Sequence, residues 1–180
     1  MERSLTHIAL MAAVVSVLAL MPQIALTSGI PITATSLGIM LCGTVLGARN
    51  GFLAVVLYLL LGLAGLPIFA GGASGYVPFT KPGAGFLIGY PIAAFVIGWL
   101  VERTTLPVGF AAGAASAIGG IAVLYAIGLP VMAWTLDISL SRAAFLCAAY
   151  LPGDVIKVVL AGLITASLAK ARPGVLMSRA

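Results

Sequence analysis

The chain has 180 residues, 62% hydrophobic and 7% charged, with a mean hydropathy of +1.23 and a formal net charge of +5. A soluble domain carries about 25% charged residues, so most of this surface must face lipid, and the class is a polytopic membrane protein. The charges stand singly between apolar runs, so topology explains them better than nucleic-acid binding does. Those runs are continuous rather than alternating, which argues against a β-barrel. At about 20 residues per spanning helix, the length predicts an all-α bundle of about six transmembrane helices forming a single domain over residues 1–180.

The first predicted span runs from about Thr6 to Leu26. Arg3 ahead of an apolar core resembles a signal peptide, but the apolar character continues past Leu26, and the reading is a retained helix. Ala9-x-x-x-Ala13 and Ala12-x-x-x-Ser16 give it a small-residue face suited to close helix contact, within the chain or with a partner. His7 at its mouth reads as interfacial. Thr27 to Pro31 reads as a turn. The second span, about Ile32 to Gly47, opens with Thr33, Thr35 and Ser36, whose hydroxyls either bond their own backbone or line a cavity. Ala48-Arg49-Asn50-Gly51 reads as a polar turn before a third span at about Phe52 to Gly65.

Residues 66–83 form the longest irregular stretch, rich in glycine (Gly71, Gly72, Gly75, Gly83) and proline. Such backbone is tolerated at membrane depth where it is buried in protein or lines a cavity, and glycine lets a ligand approach N–H donors. The alternative is a plain linker. The fourth span, about Ala84 to Val101, places Phe86 and Tyr90 at i,i+4, either to stack a ring or as part of a core or lipid-facing stripe. Trp99 reads as an interface anchor. The fifth, about Val108 to Gly128, is crowded with small residues such as Gly109 and Gly113 and reads as structural. Pro130 to Ser141, with Trp134 and Asp137, connects it to a last span at about Arg142 to Leu168. Cys42 and Cys147 read as small core hydrophobes.

That last span contains Tyr150, Asp154 and Lys157, which share a face on a continuous helix. A charge near the bilayer centre costs roughly 2.5–3.5 kcal/mol on insertion scales, and two charges here fall within one turn. They are either a tie between helices or a ligand site. Pro152 is expected to kink the helix and free the carbonyl of Ala148. With both termini cytoplasmic, inner segments carry Arg3, Arg49, Arg103, Lys170, Arg172 and Arg179 against Lys81 and Arg142 outside. That orientation puts the glycine-rich stretch and the Tyr150–Lys157 stripe on the outer side, within reach of one another. There is no P-loop, no H-E-x-x-H, no G-x-S-x-G and no Cys/His cluster, and the four acidic residues leave little for catalysis or metal binding. A non-catalytic binder or transporter subunit without a cofactor remains.

Three stretches carry a family resemblance: Pro31-Ile32-Thr33 running to Leu46-Gly47-Ala48-Arg49-Asn50-Gly51; Tyr58 to Gly72 followed by Gly83 to Tyr90; and Pro152-Gly153-Asp154-Val155-Ile156-Lys157. Their order and spacing resemble the BioY family, the biotin-binding S components of energy-coupling factor vitamin transporters. The resemblance implies six helices in a prokaryotic plasma membrane and a biotin pocket open to the outside. It implies that Gly71, Gly72, Asp154 and Lys157 help bind biotin. It also implies that Ala9 and Ala13 dock a transmembrane coupling subunit, which works with ATP-binding cassette ATPases. Two departures fall at the pocket rim: Lys81-Pro82-Gly83-Ala84-Gly85 stands where the family has Gly-Pro-Thr/Ser-Gly-Gly, and Thr35 stands where a Gln is common.

Biotin offers a ureido ring with two N–H donors and a carbonyl, a thiophane ring and a carboxylate. An ionised Asp154 accepts from ureido N–H, and Lys157 donates to the ureido carbonyl or the carboxylate. Phe86, Tyr90 and Tyr150 are candidates to pack on the apolar ring. Lys81 and the backbone N–H groups of Gly71 to Gly75 are candidates to hold the carboxylate, and Ser74 is a further candidate ligand-binding residue. An S component for another vitamin and a non-catalytic assembly subunit remain as rivals.

Overall fold

The computed structural model describes residues 2–22 and 33–179. The turn expected at Thr27–Pro31, the end of the first span at Leu26 and the start of the second at Ile32 lie outside the described residues. Among the described residues the regular structure is helical, with one isolated bridge between Phe69 and Ala73.

Helix α1 spans Glu2–Leu20 and ends well before the expected Leu26. Pro22 supplies the reason, because proline disfavours helical backbone in the residue before it. Ile8, Ala12, Val15 and Ala19 form its buried stripe at i, i+4, i+7 and i+11, while Ala9 and Ala13 face outward.

Helix α2 spans Thr35–Leu63 but reverses direction at Gly47, where φ is 83° and ψ −175°. Nine residues of continuous helix rise ~14 Å, yet a Cβ on Gly51 would lie 2.6 Å from the Cys42 carbonyl oxygen. Residues 35–46 and 48–63 therefore run back along each other. The expected polar turn at residues 48–51 is already helical. One glycine in a conformation that L side chains avoid makes the whole reversal. Glu102 Oε1 accepts from the Ala48 N–H at 2.8 Å and so caps the second limb.

Helix α3 spans Ala84–Arg103 and packs tightly on both limbs of α2. A Cβ on Gly43 would sit 2.6 Å from the Ala94 carbonyl oxygen, so the two backbones approach as closely as glycine allows. Helix α4 (Val108–Ala117) passes through a π turn at Ile118–Val123 into α5 (Leu124–Leu136), making one rod from Val108 to Leu136. Pro130 and Trp134 thus lie inside a helix, not in the connection expected after Gly128. Proline is better tolerated inside membrane helices than in soluble ones. The rod ends at Asp137, whose backbone is left-handed at φ 52°.

The expected single last span is two helices, α6 (Leu140–Ala148) and α7 (Leu151–Ala171). Pro152 lies in the first turn of α7, where its missing N–H would be unpaired in any case. It starts a helix rather than kinking one. Helices α4 and α7 meet through glycine, since a Cβ on Gly162 would lie 2.8 Å from the Gly109 carbonyl oxygen. Thr165 and Thr44, both fully buried, hydrogen-bond at 2.9 Å between α7 and α2.

The chain's end closes one face of the bundle. Ser178 Oγ donates to the Thr44 carbonyl at 2.5 Å, and Arg179 Nη2 donates to the Leu106 carbonyl at 3.0 Å. Arg49, Arg103 and Arg179 gather at this end, while Lys81 and Arg142 lie on segments at the opposite one. Among the described residues four helices are long and apolar enough to cross a membrane: Thr35–Leu63, Ala84–Arg103, Val108–Leu136 and Leu151–Ala171. Ser4–Leu20 is a shorter apolar helix.

Candidate ligand-binding site

The break before α7 is what builds the site. Restarting the helix at Leu151 puts Asp154 in its first turn, where the helix dipole favours a carboxylate. Lys157 follows one turn deeper, ~9 Å from the helix start. Lys157 Nζ lies 2.9 Å from Asp154 Oδ1, and Asp154 is 7% exposed. Lys157 Nζ also donates to Ser36 Oγ on α2 at 2.9 Å. Tyr125 Oη on α5 donates to Asp154 Oδ2 at 2.6 Å. The ion pair is therefore held by hydroxyls from two other helices.

The cluster has unused capacity. An ammonium has three donors, and two of the Lys157 donors have partners among the described residues. A carboxylate accepts about four hydrogen bonds; here each oxygen has one side-chain partner among the described residues. A polar ligand can thus be both accepted from and donated to without breaking the pair.

Of the expected site residues, the structure gathers several around this cluster. Tyr150 precedes α7 rather than sharing a continuous helix with Asp154 and Lys157, and its carbonyl accepts from the Asp154 N–H at 3.0 Å. Its buried ring packs with Met132, Ala143 and Cys147. Phe86 meets the Tyr125 ring edge-on at 5.8 Å, and the bare Gly128 backbone makes room for it. Tyr90, one turn beyond Phe86 on α3, is half-buried and packs against the main apolar core. Thr35 is buried beside Ser36 and accepts from Thr33 Oγ1 at 3.0 Å.

The glycine-rich stretch is ordered by a different group of contacts. Phe69 is its anchor, buried edge-on against Tyr58 and Phe79 and seated over Gly62. Gly71, Gly72 and Gly75 all have positive φ, and the Gly75 N–H donates to the Gly62 carbonyl at 2.8 Å. Its short turns at Ala70–Gly72 and Val77–Thr80 pack on α1 and α3 respectively. No hydrogen bond or ion pair joins Gly71, Gly72, Ser74, Gly75 or Lys81 to Asp154 or Lys157 among the described residues; Lys81 is exposed at the foot of α3.

Two contributors carry no assigned ligand role in the sequence reading. Ser36 appears there only as one of three hydroxyls at a helix start, and Tyr125 does not appear. The Tyr58 hydroxyl is a third polar group in this half of the bundle, fully buried with no hydrogen-bond partner. Leaving such a group unpaired costs about 1–3 kcal/mol. Tyr58→Phe is expected to raise the thermal stability of the ligand-free protein in detergent. A lowered melting temperature would mean that the hydroxyl is already satisfied.

Among the described residues the chain is a helical membrane bundle with a buried, hydroxyl-braced ion pair near one end, an arrangement with donors and acceptors to spare for a polar solute. A family model described as the BioY family matches residues 2–174. The chain belongs to the BioY family. Biotin transporter BioY of Rhodobacter capsulatus is 44% identical over 99% of this chain and 100% of its own length. The Rhizobium etli biotin transporter BioY is 44% identical over 90% of each chain. In structure, the chain resembles the crystal structure of the S-component for biotin from an ECF-type ABC transporter, with a TM-score of 0.88 at 29% identity, covering 93% of this chain and 91% of that one.

Proposed function

We propose that this chain is the biotin-binding S component of an ECF-type vitamin uptake transporter. The observation that carries the reading is the buried Asp154–Lys157 pair with spare acceptor and donor sites, in a chain whose family consists of biotin transporters. The ureido group fits this pair: its N–H groups match the carboxylate and its carbonyl matches the ammonium. Phe86, Tyr90, Tyr125 and Tyr150 supply aromatic surface for the bicyclic ring. Ser74, Lys81 and the Gly71–Gly75 backbone are assigned to the rim, where the valerate carboxylate is held.

The chain acts as one transmembrane substrate-binding domain of six crossings in the plasma membrane: α1, the two limbs of α2, α3, the Val108–Leu136 rod and α7. The reversal at Gly47 supports counting α2 twice. The basic residues at the Gly47 end support placing that end and both termini in the cytoplasm. Biotin then enters from the outer side. The protein binds and presents its ligand rather than transforming it, and energised uptake requires a membrane coupling subunit and ATPases.

Mass spectrometry of ligand released from detergent-purified protein tests this directly, followed by titration with a panel of vitamins. Biotin is expected as the bound species and the tightest binder. Preference for another vitamin in both assays would overturn the substrate assignment.

Ala9 and Ala13, both outward-facing on α1, are assigned to the coupling-subunit contact. Their joint replacement by leucine is expected to leave biotin affinity within about twofold and to weaken co-purification of the coupling subunit, because small residues permit close helix approach in lipid. Lost biotin binding with intact assembly would reverse that assignment.

A further inference from the structure

At the basic end of the bundle, remote from Asp154, a groove of about 410 Å³ runs between the second limb of α2 and α3. Its volume falls within the roughly 300–1,000 Å³ of small-molecule clefts. Phe52, Leu53, Ile92 and Phe95 line it, each of them exposed, and Arg49 lies at its mouth. Phe52 and Phe95 meet edge-on at 6.5 Å.

The charge at the mouth is uncompensated. Arg49 makes no hydrogen bond or ion pair with another described residue. Glu102, an acid at this end, has a carboxylate oxygen on the Ala48 N–H. Arg103 is stacked 4.6 Å over the Trp99 ring. Arg49 is thus a cation without a partner among the described residues, set at the start of a helical limb beside the apolar groove. Trp99 and Arg103 nearby are the residue types that mark a membrane–water boundary.

We infer that this groove is a binding site for one anionic phospholipid, with an acyl chain lying between Phe52, Leu53, Ile92 and Phe95 and the headgroup phosphate paired with Arg49. The apolar lining of the groove suits a hydrocarbon chain, and the planar guanidinium of Arg49 suits a phosphate by bidentate hydrogen bonding. A free phosphate satisfies the cation but not the groove, and a zwitterionic lipid fills the groove but leaves the cation less well matched. The site is independent of what occupies the Asp154 cluster.

Native mass spectrometry of the full chain in detergent, with equal amounts of phosphatidylglycerol and phosphatidylcholine, tests the assignment. The wild type is expected to retain one phosphatidylglycerol in preference to phosphatidylcholine, and inorganic phosphate is expected not to displace it. Arg49→Gln is expected to cut that preference by roughly fivefold, the effect of one basic residue at an anionic lipid surface. Ile92→Trp, which fills the groove, is expected to reduce retention of both lipids. Gel filtration and thermal melting of each variant verify the fold. Equal retention of the two lipids by the wild type, an unchanged preference in Arg49→Gln, or displacement by phosphate alone would overturn the site. So would a photo-crosslinker at Ile92 that captures a polypeptide rather than lipid in native membranes.

Discussion

Asp154→Asn is expected to weaken biotin binding by roughly ten- to a hundredfold, because hydrogen bonds to a charged group are worth about 1.5–3 kcal/mol. The asparagine keeps the size of the side chain and one carbonyl acceptor, but it turns the other oxygen into a donor. That donor faces the Tyr125 hydroxyl or the Lys157 ammonium, both of which donate to the native carboxylate. Lys157→Met removes the opposite charge and leaves Asp154 buried with Tyr125 as its remaining side-chain partner among the described residues, a change that costs about 3–5 kcal/mol for a buried pair broken on one side. Its melting temperature is expected to fall further than that of Asp154→Asn. The double variant Asp154→Asn with Lys157→Met is expected to recover much of the lost stability without recovering the ligand. Calorimetric titration and thermal melts of the three proteins separate the two roles of the pair. A double variant that still binds biotin at wild-type affinity would reduce Asp154 and Lys157 to a tie between helices.

The same cluster shows how far a sequence carries. Asp154 and Lys157 were legible because charge inside a long apolar run is costly and three-residue spacing puts both side chains on one helix face. Ser36 and Tyr125 were not, because their role depends on contacts made 121 and 29 residues away in sequence. A hydroxyl in an apolar run has no local signal separating a bond to its own backbone from one to a distant ion. The helical, membrane-spanning character followed from the apolar runs, yet boundaries went wrong wherever glycine or proline acted through backbone geometry. Asn50-Gly51 reads as a turn pair, but the reversal occurs at Gly47. Pro130 reads as a helix stop but sits within one, whereas Pro152 reads as a kink but begins a new helix. Opposite outcomes at two prolines reflect tertiary packing, which composition does not encode.

The glycines that join α2 to α3 give the largest expected effect on stability. Gly98→Ala is expected to lower the melting temperature of the purified protein by about 5 °C or more, and Gly98→Val to prevent accumulation of folded protein. A Cβ at Gly98 would fall onto the Ala48 amide nitrogen and the Gly47 carbonyl carbon, and 2.6 Å from Ala48 Cα. These are backbone atoms at the reversal and cannot rotate away, so α3 must move. Overpacking a tight interface costs about 1–3 kcal/mol. Moving α3 also pulls Glu102 from the Ala48 N–H it caps, which exposes a buried donor at about 1–3 kcal/mol more. Together these are a large share of the ~5–15 kcal/mol that stabilises a typical folded protein, and each kcal/mol is worth about 2–4 °C at this size. Gly113→Ala on α4 is the control: the nearest atom to its added Cβ would be the Val158 carbonyl oxygen at 4.0 Å, an ordinary contact. That variant is expected to melt within about 2 °C of the wild type, since surface and uncrowded substitutions change stability little. Equal melting temperatures for Gly98→Ala and Gly113→Ala would mean that the α2–α3 contact relaxes freely, and that the reversal at Gly47 does not depend on the bare backbone of α3 to hold it in place.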